Sequence, residues 1–158
     1  MVRNENEYQE ALRRIEQDRE VRQRQRNALE AEGFTSEQVE RGMAPLISFH
    51  LQLQEEVDWY EKVRRGNIDP LLNFTGIGPL LIGLRIAAGL TQRQLAERLG
   101  SNEAQVSRDE RNEYHGITVE RAQRILDAMG ARVESRVTEM RTGETRRILA
   151  ESQELVEA

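Results

Sequence analysis

The chain contains no cysteine. Disulfides, zinc knuckles and thiol catalysis are therefore excluded. Proline is scarce, with 3 in 158 residues, which leaves long helices permitted. Aromatic residues make up 4%, too few for a large aromatic core. No run of about 18 apolar residues is present, so no transmembrane helix is expected. The opening stretch MVRNENEYQEALRR lacks the apolar segment of a signal peptide. A cytoplasmic protein is the expectation. The two histidines, His50 and His115, lie far apart in sequence, and neither a metal site nor a cofactor is expected. A surplus of positive charge is missing too, since the net charge is −5. Residues 1–66 carry 11 basic and 14 acidic side chains, residues 67–130 carry 7 and 8, and residues 131–158 carry 5 and 6. That balance counts against a polyanionic partner unless the cations gather on one face.

What is present reads as helix. Charged residues make up 32% and hydrophobic residues 37%, and the mean hydropathy is −0.73. These values fit helices with one thin apolar stripe. Residues 5–32 contain no Gly or Pro, and Tyr8, Leu12, Ile15, Arg22 and Leu29 share one helical face. Asn4 with Glu7 resembles a capping box, and Gly33 is a natural stop. Thr35 with Gln38 reads as the next N-cap. Over 36–65, Val39, Met43, Leu46, His50, Leu53, Val57 and Tyr60 recur at spacings of four and three. Pro45, near Gly42, predicts a kink or short break, and Gly66 ends the segment. The two segments, joined by GFTS, predict an antiparallel helical hairpin over 1–66 that serves dimerisation or partner binding. Residues 67–77 form a linker whose Leu71 and Leu72, with Phe74, are free to pack back on either side.

Residues 78–130 read as a set of short helices. The first ends at Gly89. The second opens with a Thr91–Gln94 capping box and stops at Gly100. The third is capped by Ser101. A last helix runs from about Val119 to Met129 and stops at Gly130, with Ala122, Ile125, Leu126 and Met129 as its apolar stripe. Residues 131–158 change character. Alternation at Val133, Ser135, Val137 and Glu139, followed by Arg-Thr-Gly-Glu, suggests a short β-hairpin over 132–149, against the alternative of a frayed helix. The final ESQELVEA reads as a loose tail.

The stretch LRIAAGLTQRQLAERLGSNEAQVSRDE, residues 84–110, resembles the Xre/Cro repressor family of helix-turn-helix regulators. The resemblance rests on Arg85, Gly-Leu-Thr-Gln at 89–92, Leu-Ala at 95–96, Leu-Gly at 99–100, Val106-Ser107-Arg108 and Glu110. It implies an all-α chain, with the N-terminal hairpin followed by a five-helix lambda repressor-like domain. The resemblance also implies that Glu103, Ala104 and Arg108 touch base edges, while Gln92, Ser101 and Asn102 contact the backbone. Ser107 and Arg111 join the same polar run, and Arg85 pairs with Glu110. Asp109 departs from the pattern, where an apolar residue usually points inward; either the third helix ends early or the carboxylate finds a cap or a cation.

No catalytic constellation is present. The glycines at 76, 78 and 83 lack the context of a phosphate loop, and Glu55–Glu56 reads as a solvated helix face. An enzyme is not expected. The layout is also similar to HigA-like antitoxins, through Glu7-Tyr8-Gln9-Glu10-Ala11-Leu12-Arg13-Arg14-Ile15-Glu16 and the order of its parts. That similarity implies a homodimer that binds double-stranded operator DNA, represses its own operon and neutralises a toxin through the hairpin. Two alternatives stay open at the level of sequence. One is a phage-type or stand-alone repressor without a toxin. The other is a protein-binding helical module that never meets DNA.

Overall fold

A computed structural model describes residues 1–136, whose regular elements are all helices, with no strand among the described residues. α1 spans Glu5–Ala31 and α2 spans Ser36–Arg64. At about 1.5 Å per residue each is roughly 40 Å long. α1 starts where Asn4 Oδ1 accepts from the Glu7 backbone N–H at 2.9 Å. The return half of that capping box is shifted by one residue, because the Glu7 carboxylate accepts from the backbone N–H of Arg3 at 2.9 Å. Thr35 and Gln38 form a complete box at the start of α2.

Pro45 corrects the expectation of a break, since α2 runs unbroken through it. An interior proline removes one helical hydrogen bond. Here the packing of Val39 and Met43 before it, and of Val57 and Tyr60 after it, holds the helix together, all four being buried. Halfway along the hairpin the seam is polar. Asp18 Oδ2 lies 3.0 Å from His50 Nδ1 and 3.1 Å from Arg22 Nε. These atoms are buried and none of them has a hydrogen-bond partner among the described residues; Asp18 and Arg22 form an ion pair with His50 packed beside it.

A 3₁₀ turn at Phe74–Gly76 leads into α3 (Ile77–Ala87), α4 (Gln92–Arg98), α5 (Glu103–Arg111) and α6 (Val119–Met129). The described residues thus hold four α-helices after the hairpin where five were expected. Residues 131–136 have no regular structure, and the rest of the β-hairpin expectation, with the tail, lies outside the described residues. α3 begins at Ile77, so the supposed linker ends in helix. Leu72 and Phe74 do not pack back, being 88% and 72% exposed.

The hairpin and the short helices share one core. Val2, Val57, Tyr60 and Val63 belong to the same buried cluster as Leu81, Ile82, Leu95, Val106 and Ile125. Val2 is brought there by the segment before α1, which also sets the Arg3 carbonyl 2.7 Å from Arg85 Nη2. Tyr8 stacks on Tyr60 with centroids 5.0 Å apart and donates to Glu61 at 2.8 Å.

The start of α3 lies hard against the loop between α5 and α6. There Glu113 and Tyr114 adopt positive φ of 49° and 53°. A Cβ on Gly78 would stand 1.8 Å from the Glu113 carbonyl oxygen. Backbone on both sides leaves no side chain able to yield. Gly78→Ala is therefore expected to destabilise the protein by about 3 kcal/mol or more, through overpacking at a site that cannot relax. Urea denaturation reads this directly, and a midpoint equal to the parent's would contradict the close approach.

Candidate nucleic-acid interface

Thr91 and Gln94 cap α4 reciprocally, at 3.1 Å and 2.8 Å. The turn into α5 passes through Gly100, whose φ of 64° suits a residue without Cβ. The cap of α5 is Asn102 and not Ser101, because Asn102 Oδ1 accepts from the Gln105 N–H at 2.9 Å. Ser101 sits one residue earlier in the turn, its backbone N–H donating to the Ala96 carbonyl at 2.9 Å. Ser and Asn are near-equal as caps, so neighbouring residues of both types leave the exact cap undetermined by sequence.

At about 100° per residue, Ala104, Ser107, Arg108 and Arg111 fall on one side of α5. Val106 and Glu110 are buried on the other. Ala104, Arg108 and Arg111 are exposed and Ser107 is half-buried. Glu103 is exposed at the margin of that face, where it lines a cleft toward the hairpin.

Two of the three acids of α5, Asp109 and Glu110, are neutralised away from this face. Asp109 resolves the ambiguity in the sequence, since α5 continues past it and its carboxylate finds both a cation and an amide. Arg121 Nη2 lies 2.5 Å from Asp109 Oδ2, and Gln105 Nε2 donates to Asp109 Oδ1 at 2.8 Å. Arg121 lies on α6, 12 residues on, and so is invisible to a local reading.

Glu110 is wholly buried and Arg85 is 2% exposed. Arg85 Nε and Nη2 reach the two carboxylate oxygens at 2.5 Å and 2.7 Å, a bidentate fork. The remaining guanidinium contacts go to the Leu90 and Arg3 carbonyls, each at 2.7 Å. Gln92 Nε2 donates to Glu110 Oε2 at 2.8 Å, so the same carboxylate orients the half-buried Gln92 at the start of α4. Tyr114 is buried beside this network. Burial, and then the negative charge of Glu110, push its hydroxyl well above the ordinary tyrosine range.

Removing one member of this pair strands the other. Arg85→Met is expected to cost about 3–5 kcal/mol, the penalty of an unpaired buried carboxylate. The double variant Arg85→Met, Glu110→Leu should unfold at a higher urea concentration than Arg85→Met alone. Additive losses would show that the two side chains act independently.

Comparison with known proteins agrees with this geometry over the short helices. Residues 82–134, about a third of the chain, match the family model described as Helix-turn-helix. No curated protein and no solved structure matches the chain. No helix among the described residues is long and apolar enough to cross a membrane. The match begins within α3 and ends just past α6, so over these residues the chain is similar to helix-turn-helix domains.

Proposed function

We propose that the protein is a sequence-specific transcription regulator that lays α5 in the major groove of double-stranded operator DNA. The observation that carries this reading is the sorting of charge on α5. Glu110 and Asp109 are paired with Arg85 and Arg121, while Arg108 and Arg111 are exposed and have no carboxylate partner among the described residues. Each pair removes one cation with one acid, so the near-neutral count over 67–130 stands; position is what differs, with Arg108 and Arg111 outward and Glu103 the one acid of α5 unpaired among the described residues.

Arg108 is the only cation between Ser101 and Glu110, and it is the main base contact, donating two hydrogen bonds to guanine O6 and N7. Ala104 meets a thymine methyl, Glu103 accepts from a cytosine amine, and Ser107 serves either base. Ser101, Asn102, Gln92 and Arg111 contact the backbone, with Gln92 held in register by Glu110. Two copies of α5 about 34 Å apart read a two-fold site, so the active species is a homodimer.

On the finer reading the protein is an antitoxin that represses its own operon while the hairpin holds a toxin. Phe49 on α2, 52% exposed, is the apolar side chain this reading assigns to the partner. Co-expression with the product of the adjacent gene tests it, relief of growth arrest being the outcome that supports it. A repressor without a toxin is the reading left if no relief occurs.

The DNA reading makes a prediction in binding energies. Arg108→Ala should weaken operator binding by about 1–3 kcal/mol and relax preference at one base pair per half-site. Gln92→Ala should weaken operator and scrambled duplex alike, since a phosphate contact carries no sequence information. Fluorescence titration of both variants against the DNA upstream of the gene separates the two effects. Preference that survives Arg108→Ala intact would refute the assigned readout.

A further inference from the structure

The hairpin does not simply hang from the DNA-binding helices. Its open end is built into their reading side. The Arg3 carbonyl on Arg85 pins the start of α1 beside the turn that leads into α4. The last turns of α2 arrive at the same place, where Tyr60 is buried and Arg64, one turn further, lies at the surface. Arg64 Nη1 is 3.0 Å from Glu5 Oε2, and both side chains are more than half exposed. Between the two parts lies a cleft of about 610 Å³. One bank carries Glu5, Asn6 and Arg64, and the other carries Thr91, Gln92 and Glu103.

Resting on the reading that α5 enters the major groove and Gln92 meets a phosphate, we infer that the hairpin supplies an additional backbone contact through Arg64. A strand that passes Gln92 runs along this cleft and so passes Arg64. The guanidinium is the only positive charge on the cleft's walls, and it is held there by a single exposed ion pair. Exposed pairs of this kind contribute little and are readily exchanged. A phosphate, with its own counterions to release, is the stronger partner. Arg64 turns from Glu5 to the phosphate, and Glu5 becomes a nearby negative charge that opposes the strand. The pair is therefore a limiter on affinity, with Arg64 attracting the backbone and Glu5 holding part of that attraction back.

The two side chains are thus expected to have opposite effects. Full-length wild type, Arg64→Ala, Arg64→Lys and Glu5→Gln are titrated against the duplex upstream of the gene and a scrambled duplex, over a series of salt concentrations. Thermal melts accompany each protein to establish that it is folded. Arg64→Ala should lose roughly threefold to tenfold in affinity for both duplexes, and its log–log salt slope should be shallower by about one. Arg64→Lys should restore the slope. Glu5→Gln should bind both duplexes more tightly than wild type. Folded Arg64→Ala and Glu5→Gln proteins that bind with wild-type affinity and slope would overturn the contact while leaving the reading of α5 standing. A wild-type protein that binds neither duplex at any salt would overturn both.

Discussion

The buried fork between Arg85 and Glu110 is the constraint on which the reading face depends. Two charges taken out of water are tolerated only if nearly all their hydrogen-bonding capacity is met. Meeting it draws five parts of the chain to one point. Arg85 comes from α3 and Glu110 from α5, the Leu90 carbonyl comes from the turn before α4, and the Arg3 carbonyl comes from the segment ahead of α1. Gln92 completes the set from α4. The angle at which α5 is presented is thus fixed by electrostatics as well as by the packing of Leu95, Val106 and Ile125. Apolar contacts alone permit sliding; a bidentate fork with fixed geometry does not.

Charge counted along a sequence and charge offered by a surface are different quantities, and this chain separates them. By count, α5 and its flanks are acidic. By position, Asp109 and Glu110 are spent on internal partners, and Arg108, Arg111 and Glu103 are what remains outward on α5. The objection raised by composition was sound in its physics, because phosphate affinity does come from cations. Composition alone does not record where on the surface each charge lies.

Much of the fold was legible because it is decided locally. The Thr35–Gln38 and Thr91–Gln94 boxes each span four residues, and α6 is bounded by Thr118 and by the left-handed Gly130. Where the sequence misled, the deciding partner was distant. Pro45 promised a break that packing against α1 prevents. Asp109 depended on Arg121 across a turn. Gly78 was noted only for lacking the context of a phosphate loop, yet it is required by the Glu113 carbonyl, 35 residues away in the sequence. Nothing in residues 1–4 announced that Val2 is a core residue or that Arg3 serves Arg85, since neither belongs to any periodic pattern. Of the candidate interface, the outward side of α5 was legible in the sequence, whereas the cleft lined by Arg64 and Gln92 was not, because it is a product of tertiary packing.

The core shared by the hairpin and the short helices has a consequence for how the protein is turned over. Val2, Tyr60 and Val63 are buried with Leu81 and Ile82, so fraying of α1 does not stop at the hairpin. It withdraws a carbonyl from Arg85 and opens the packing that steadies α5. Proteases act on such opened states in proportion to how often they occur. A cut in α1 that frees Val2 and Arg3 therefore loosens the Arg85–Glu110 fork as well, and the hairpin and α5 are lost in a single event.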